Sequence, residues 1–157
     1  MANRVTRVYI DTSIVGGFFD DEFALETKAL FERLKGKKVI FVISSVLEQE
    51  LRNAPRQVQE LLGKYDRGCF EHILLTQEAI ELAKCYIAEN VVGKTCFEDC
   101  LHIALATLNK VDVLASWNFK HIVNLDKIRG YNGVNMKNGY AMIEIRNPRE
   151  LIHYEND

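Results

Sequence analysis

Proline is almost absent, with two residues in 157, and glycine is sparse at nine. Chains that are collagen-like, low in complexity or largely disordered need far more of either, so those classes are excluded. No apolar run approaches the ~18 residues of a membrane span, and no membrane partner is expected. No secretory leader is legible, because the first apolar run is short and stops at Asp11. A cytoplasmic protein is expected. The four cysteines, Cys69, Cys85, Cys96 and Cys100, form no C-x-x-C pair. The spacing of Cys96 and Cys100 suits one helix face better than a zinc knuckle, so the four read as reduced, mostly buried thiols. A strong positive balance is missing too, since the formal net charge is −2. That excludes a binder driven by overall basic charge and leaves room for a local basic patch.

What is there is the mix of an ordinary globule, 48% hydrophobic and 27% charged. No linker, repeat or charge block divides it, so residues 1–157 are expected to form a single domain. The period of apolar residues alternates along the chain. Short β-rich runs at 5–10, 38–43, 70–75 and 111–116 predict strands, and a last one is expected at 140–145, stopped by Asn147-Pro148. Between them, helical spacing joins Phe23, Leu30, Phe31 and Leu34 before Gly36. Ser44 or Ser45 can cap a helix carrying Val46, Leu47, Glu50 and Leu51, and Pro55 suits the first turn of the next. Thr76 caps a helix expected to run close to Gly93, and Thr95-Cys-Phe-Glu98 has the form of a capping box. Residues 124–139, rich in Asn and Gly, predict a loop. Strands alternating with helices predict an α/β fold with a mainly parallel sheet and helices on both faces. Ligands of such sheets bind beyond the carboxyl ends of the strands.

Asp11 ends the first strand, Glu50 lies in the helix after the second, Asp99 lies one turn into the helix after Thr95, and Asn118 follows the fourth strand. Each is flanked by apolar sequence, where a carboxylate is costly unless paired or metal-bound. Three carboxylates gathered together repel and cannot all ionise without a cation, and hard oxygen ligands suit Mg²⁺ or Mn²⁺. Each residue also has an ordinary structural explanation. Asp11 and Asn118 can be helix caps, Asp99 can complement a helix dipole, and Glu50 can sit at a solvent edge as Glu48 does.

A resemblance is carried by the segments Tyr9-Ile-Asp-Thr-Ser13, Ile43-Ser-Ser-Val-Leu-Glu-Gln-Glu-Leu51, Glu98-Asp-Cys-Leu-His-Ile-Ala104 and Ala115-Ser-Trp-Asn-Phe-Lys-His121. In this order and separation they resemble a PIN-domain protein, the metal-dependent nuclease fold of VapC-type toxins, over most of residues 5–125. The resemblance implies a three-layer, Rossmann-like α/β/α sandwich with acidic residues at the carboxyl edge of the sheet. It matches Asp11, Glu50 and Asp99 to the three acids of the pattern, with Glu50 a better match than Glu48. Asn118 falls where many members carry a fourth Asp, a departure that removes one negative charge.

The implied function is a Mg²⁺- or Mn²⁺-dependent endoribonuclease of the toxin–antitoxin kind, cutting RNA to leave a 5′-phosphate. Asp11, Glu50 and Asp99 would hold the ion directly or through its waters, and Asn118 would position water or phosphate. Thr12 and Ser13 either orient Asp11 or touch substrate, or cap the next helix. Lys120 and His121 are phosphate-contact candidates, and His102 is either a donor behind the acids or a core histidine bonded to backbone. From Trp117 to Tyr140 four positive charges, Lys120, Lys127, Arg129 and Lys137, face one negative, Asp126. That is a basic stretch suited to a phosphodiester, or an ordinary solvated loop. Trp117 and Tyr131 can stack on bases or fill a core. RNA and an antitoxin protein are the expected partners, and Phe18, Phe19 and Phe23 are candidates for a homodimer interface. The alternative is a catalytically weak or inactive PIN module that binds RNA or a protein partner. A phosphatase with Asp11 as nucleophile ranks below both, because the Asp-x-Asp it needs is broken by Ser13.

Overall fold

A computed structural model describes residues 4–153. Five strands, β1 (Thr6–Ile10), β2 (Val39–Ser44), β3 (Phe70–Ile73), β4 (Val113–Ala115) and β5 (Ile145–Arg146), form one sheet. Its order is β3-β2-β1-β4-β5, and every neighbouring pair is parallel. Among the described residues eight α-helices connect or flank the strands: α1 (Thr12–Gly17), α2 (Ala24–Lys35), α3 (Ser45–Leu51), α4 (Arg56–Leu61), α5 (Gln77–Ala88), α6 (Phe97–Leu108), α7 (Leu125–Lys137) and α8 (Pro148–His153). None is long and apolar enough to cross a membrane.

The pleat divides the core in two, since successive strand residues point to opposite faces. Val8, Ile10, Phe41, Ile43, Val113 and Ala115 pack with apolar residues of α1, α2, α3, α4 and α8. Tyr9, Val42 and Leu114 point the other way, into the apolar faces of α5, α6 and α7. The three-layer α/β/α sandwich is the architecture found. The chain runs outward from β1 through β2 to β3, then crosses back to β4 on the far side of β1. The strand order therefore reverses between β1 and β4, and a crevice opens beyond their carboxyl ends.

Four expectations need correction. Residues 124–139 are not a loop. Asn124 caps α7, its side chain accepting the Lys127 N–H, and the helix is held by buried carboxamides. Tyr86 donates to Asn135 Oδ1 at 2.5 Å, Asn135 donates to Thr107 Oγ1, and Asn132 exchanges hydrogen bonds with both backbone groups of Ile143. Tertiary bonding thus overrides the weak helix propensity of Asn and Gly. The capping box at Thr95 does not form either. A 3₁₀ turn over Lys94–Cys96 places Thr95 inside it, so Cys96 becomes the cap residue of α6 and provides no side-chain cap bond. The last strand shrinks to Ile145–Arg146, because Asn132 captures the Ile143 backbone. The helix expected to reach Gly93 stops at Ala88, and Asn90 follows with φ +61°, a left-handed conformation that Asn tolerates.

Other signals hold. Ser44 caps α3, accepting from Leu47 N–H at 3.1 Å. Thr76 caps α5, and Gly36 follows the end of α2. Trp117 and Tyr131 are core rather than stacking platforms. Trp117 donates to Thr27 Oγ1 at 2.8 Å and stacks on Phe23, while Tyr131 is fully buried. Gly17 is required beneath that indole, since a Cβ there would lie 2.7 Å from Trp117 Cδ1. Phe18, Phe19 and Phe23 are half-buried and pack against the core rather than standing free.

Candidate active site

The crevice beyond β1 and β4 narrows to a pocket of about 190 Å³ lined by Asp11, Thr12, Ser13, Glu50, Asp99, His102 and Asn118. Four of these, Asp11, Glu50, Asp99 and Asn118, come from four separate elements singled out in the sequence. A larger groove, about 660 Å³, lies at the amino ends of the strands around Thr6, Val39 and Val113. Its ionic residues are of mixed sign, Asp112, Glu144 and Glu150 with Arg33 and Arg146, and it sits at the end of a parallel sheet that ligands rarely use.

Asp11 follows β1 and is 4% exposed. Ser13 donates to its Oδ1 and Ser116 to its Oδ2, each at 2.6 Å. The two hydroxyls are themselves fixed by backbone, since Ser13 Oγ accepts the Trp117 N–H and Ser116 Oγ accepts the Asn118 N–H. Burial pushes the Asp11 carboxyl above the usual carboxylate range, against the opposing pull of His102, Ser116 and Ser13.

Glu50 lies at the end of α3, half-buried. Its Oε1 accepts from Thr12 Oγ1 at 2.9 Å and meets His102 Nε2 at 2.6 Å. Glu48 points elsewhere and pairs with His72 on the surface. Burial raises Glu50, but the hydrogen bond and charge of His102, helped by Thr12, outweigh it and hold the carboxyl below its usual range. His102 is not bonded to backbone as a plain core histidine. Its Nδ1 lies 2.6 Å from the Tyr9 hydroxyl, which hydrogen-bonds onward to Ser44 Oγ at 2.9 Å. An ionised Glu50 requires a proton on Nε2, which donates to Oε1, while the bond between Nδ1 and Tyr9 forms with either atom as donor. The neighbouring carboxylates favour the imidazolium form of the ring. Burial opposes that charge, and Glu50, Asp11 and Asp99 together overcome it, so His102 titrates above the usual imidazole value.

Asp99, in the first turn of α6, is raised by burial, with Asp11 and Glu50 adding to the shift against His102 and His121. Asn118 accepts the His121 N–H through Oδ1 at 3.0 Å, which leaves its amide NH₂ to donate into the pocket. Asp11 and Glu50, which both act to raise Asp99, make with it an oxygen-rich pocket that fits a hard cation, and such an ion would relieve the repulsion.

The remaining candidates divide. Thr12 and Ser13 spend their hydroxyl protons on the two carboxylates. His121 stands beside Asp99 and Cys96, the potential ligand atoms of the three lying within 4.8 Å of one another. Lys120 is exposed and does not line the pocket. The basic stretch is partly tied elsewhere, with Lys127 donating to the Val91 carbonyl and Lys137 paired with Glu89. Ser116 and Tyr9 were not singled out from sequence for these contacts. The only signal for Ser116 was its place at the end of a strand neighbouring Asp11.

No family model matches the chain, and no curated protein does. Solved structures do. The chain is similar to VapC20 of Mycobacterium tuberculosis, a Sarcin-Ricin loop cleaving toxin, with TM-score 0.57 and 13% identity over 72% of this chain and 91% of that one. It is similar to a toxin–antitoxin complex from Klebsiella pneumoniae, with TM-score 0.53 and 22% identity over 72% and 88%. VapBC2 from Rickettsia felis, bound to a DNA fragment from its promoter, gives TM-score 0.54 and 14% identity over 90% and 98%. The chain therefore has the PIN fold of the VapC-type toxins.

Proposed function

We propose that the chain is a divalent-metal-dependent endoribonuclease and the toxin of a toxin–antitoxin pair. The observation that carries the reading is the convergence of Asp11, Glu50, Asp99 and Asn118, from four elements, on one pocket at the carboxyl edge of the sheet. Asp11, Glu50 and Asp99 would hold Mg²⁺ or Mn²⁺, which when bound acidifies water for attack on phosphorus and neutralises charge on the phosphoryl oxygens.

The chain's own residues do the rest. Ser13 and Ser116 fix both oxygens of Asp11, so its orientation does not depend on substrate. Thr12 and the His102 imidazolium fix Glu50 and keep it ionised. The Asn118 NH₂ donates to a phosphate oxygen or to the attacking water. His121, beside Asp99, provides a further phosphate contact, and Lys120 reaches the substrate backbone from outside the pocket. An antitoxin would cover this groove, and a homodimer would present two of them. Cytoplasmic RNA is the substrate class this reading requires.

A second reading is favoured by one observation, the neutral Asn118 in place of a fourth acid. It makes the chain a weakly catalytic module that binds RNA or a protein partner. Single-stranded RNA incubated with Mn²⁺, Mg²⁺ or EDTA separates the two. The nuclease reading expects cutting with either ion, none with EDTA, and none by Asp11→Asn. Retention of RNA with no cutting under any condition supports the second reading.

A further inference from the structure

We propose that Cys96, Asp99 and His121 form a binding site for a borderline-soft divalent cation of the Zn²⁺ type, beside the carboxylate pocket and sharing Asp99 with it. The three come from two segments far apart in the chain, yet their potential ligand atoms lie within 4.8 Å of one another. Around tetrahedral Zn²⁺ such atoms are about 3.3–3.8 Å apart, so small side-chain rotations close the set. Cys96 and Asp99 are three apart across the start of α6 and face the same side. Cys96 is buried, and Asp99 and His121 are half-buried. An ion therefore enters from the Asp99–His121 side and finds a desolvated thiol at the back.

His121 is held for this task by its backbone. Its N–H donates to Asn118 Oδ1 at 3.0 Å and its carbonyl accepts the Tyr131 hydroxyl at 2.7 Å. Tyr131 is fully buried, so the turn carrying the imidazole is pinned at both ends and little ordering is lost on binding. Thiolate, imidazole and carboxylate together select Zn²⁺ over Mg²⁺, which demands six hard oxygen ligands. The thiol proton leaves to solvent on binding. Because Asp99 also lines the carboxylate pocket, an ion held here withdraws that carboxylate and blocks cutting. This last consequence rests on the nuclease reading, whereas the site itself does not.

Co²⁺, a spectroscopic stand-in for Zn²⁺, tests the site on the full chain. Wild type is expected to bind one Co²⁺ with a thiolate-to-cobalt charge-transfer band in the near ultraviolet, displaced by Zn²⁺. Cys96→Ser loses the band, Cys85→Ser keeps it, and His121→Ala binds Co²⁺ at least tenfold more weakly. Melting curves on the same samples establish that each variant is folded, and if Cys96→Ser is not, His121→Ala carries the reading. No band in excess Co²⁺, or a band that survives Cys96→Ser, overturns the proposal. In Mn²⁺-driven cleavage, Zn²⁺ slows wild type at least tenfold more than Cys96→Ser, and equal slowing of both overturns the block. A band without any RNA cutting keeps the site and removes the nuclease reading, while cutting without a band does the reverse.

Discussion

Asp11 is a carboxylate that the fold first buries and then supplies with donors. Truncating Ser116 to alanine removes the donor to Oδ2 and also frees the Asn118 N–H. Loss of one such supporting contact typically lowers metal affinity or activity about 10- to 100-fold. We expect that loss for Ser116→Ala, read as Mn²⁺ affinity by calorimetry and as RNA cutting, with the fold retained. Asn118→Asp keeps the acceptor for His121 N–H and restores a negative charge, so Mn²⁺ should bind more tightly, and unchanged or weaker binding would remove Asn118 from the account. The His102–Glu50 pair has its own pH window. It is complete above the lowered Glu50 value and below the raised His102 value, and it is lost on either side. Asp11, Asp99 and Asn118 were legible because each sits at a strand end or helix start that the apolar period reveals, and Glu50 because it lies on the helix that follows the second strand. The Ser116 contact with Asp11 spans 105 residues of sequence and the His102 contact with Glu50 spans 52, and no spacing rule reaches that far.

At the scale of elements, strands and helices were legible wherever the apolar period was strong, as in β1, β2, α5 and α6. What failed was α7, whose stability comes from buried carboxamide bonds rather than from propensity or pattern. Asn135 satisfies Tyr86 and Thr107 at once. Asn135→Ala would take the Oδ1 acceptor from the buried Tyr86 hydroxyl and leave Thr107 with its bond to the Ile103 carbonyl, and is expected to cost about 2–3 kcal/mol, whereas Asn124→Ala loses only a cap, about 1 kcal/mol. Chemical denaturation of the two variants checks the ranking, and equal costs would mean that the buried network adds nothing. The missed 3₁₀ turn before α6 has a consequence for the site, because it turns Cys96 toward Asp99 instead of letting Thr95 cap the helix.

For the whole molecule, the sheet gathers acids that a bare protein tolerates poorly. Asp11 and Asp99 both have folded pKa values raised by burial. A raised group contributes stability that is fully present below its unfolded pKa and is lost as pH rises through the folded value. The metal-free protein should therefore lose stability as pH climbs from the ordinary carboxylate range toward neutrality, and a bound cation should restore it. Saturation at 100 times Kd is worth about 2.7 kcal/mol, roughly 5–10 °C in Tm for a chain of this size. Mn²⁺ should raise Tm by that amount near pH 8 and by much less near pH 5, and a shift independent of pH would contradict this charge assignment.

The most direct test of the central claim is the chemistry of the cut ends. Wild type and Asp11→Asn/Asp99→Asn, purified side by side, are incubated with single-stranded RNA and Mn²⁺, and the 5′ termini of the products are determined. The account expects 5′-phosphate ends from wild type alone, absent with EDTA and absent from the double variant. Products bearing 5′-hydroxyl and 2′,3′-cyclic phosphate ends, or equal cutting by both proteins, would contradict it.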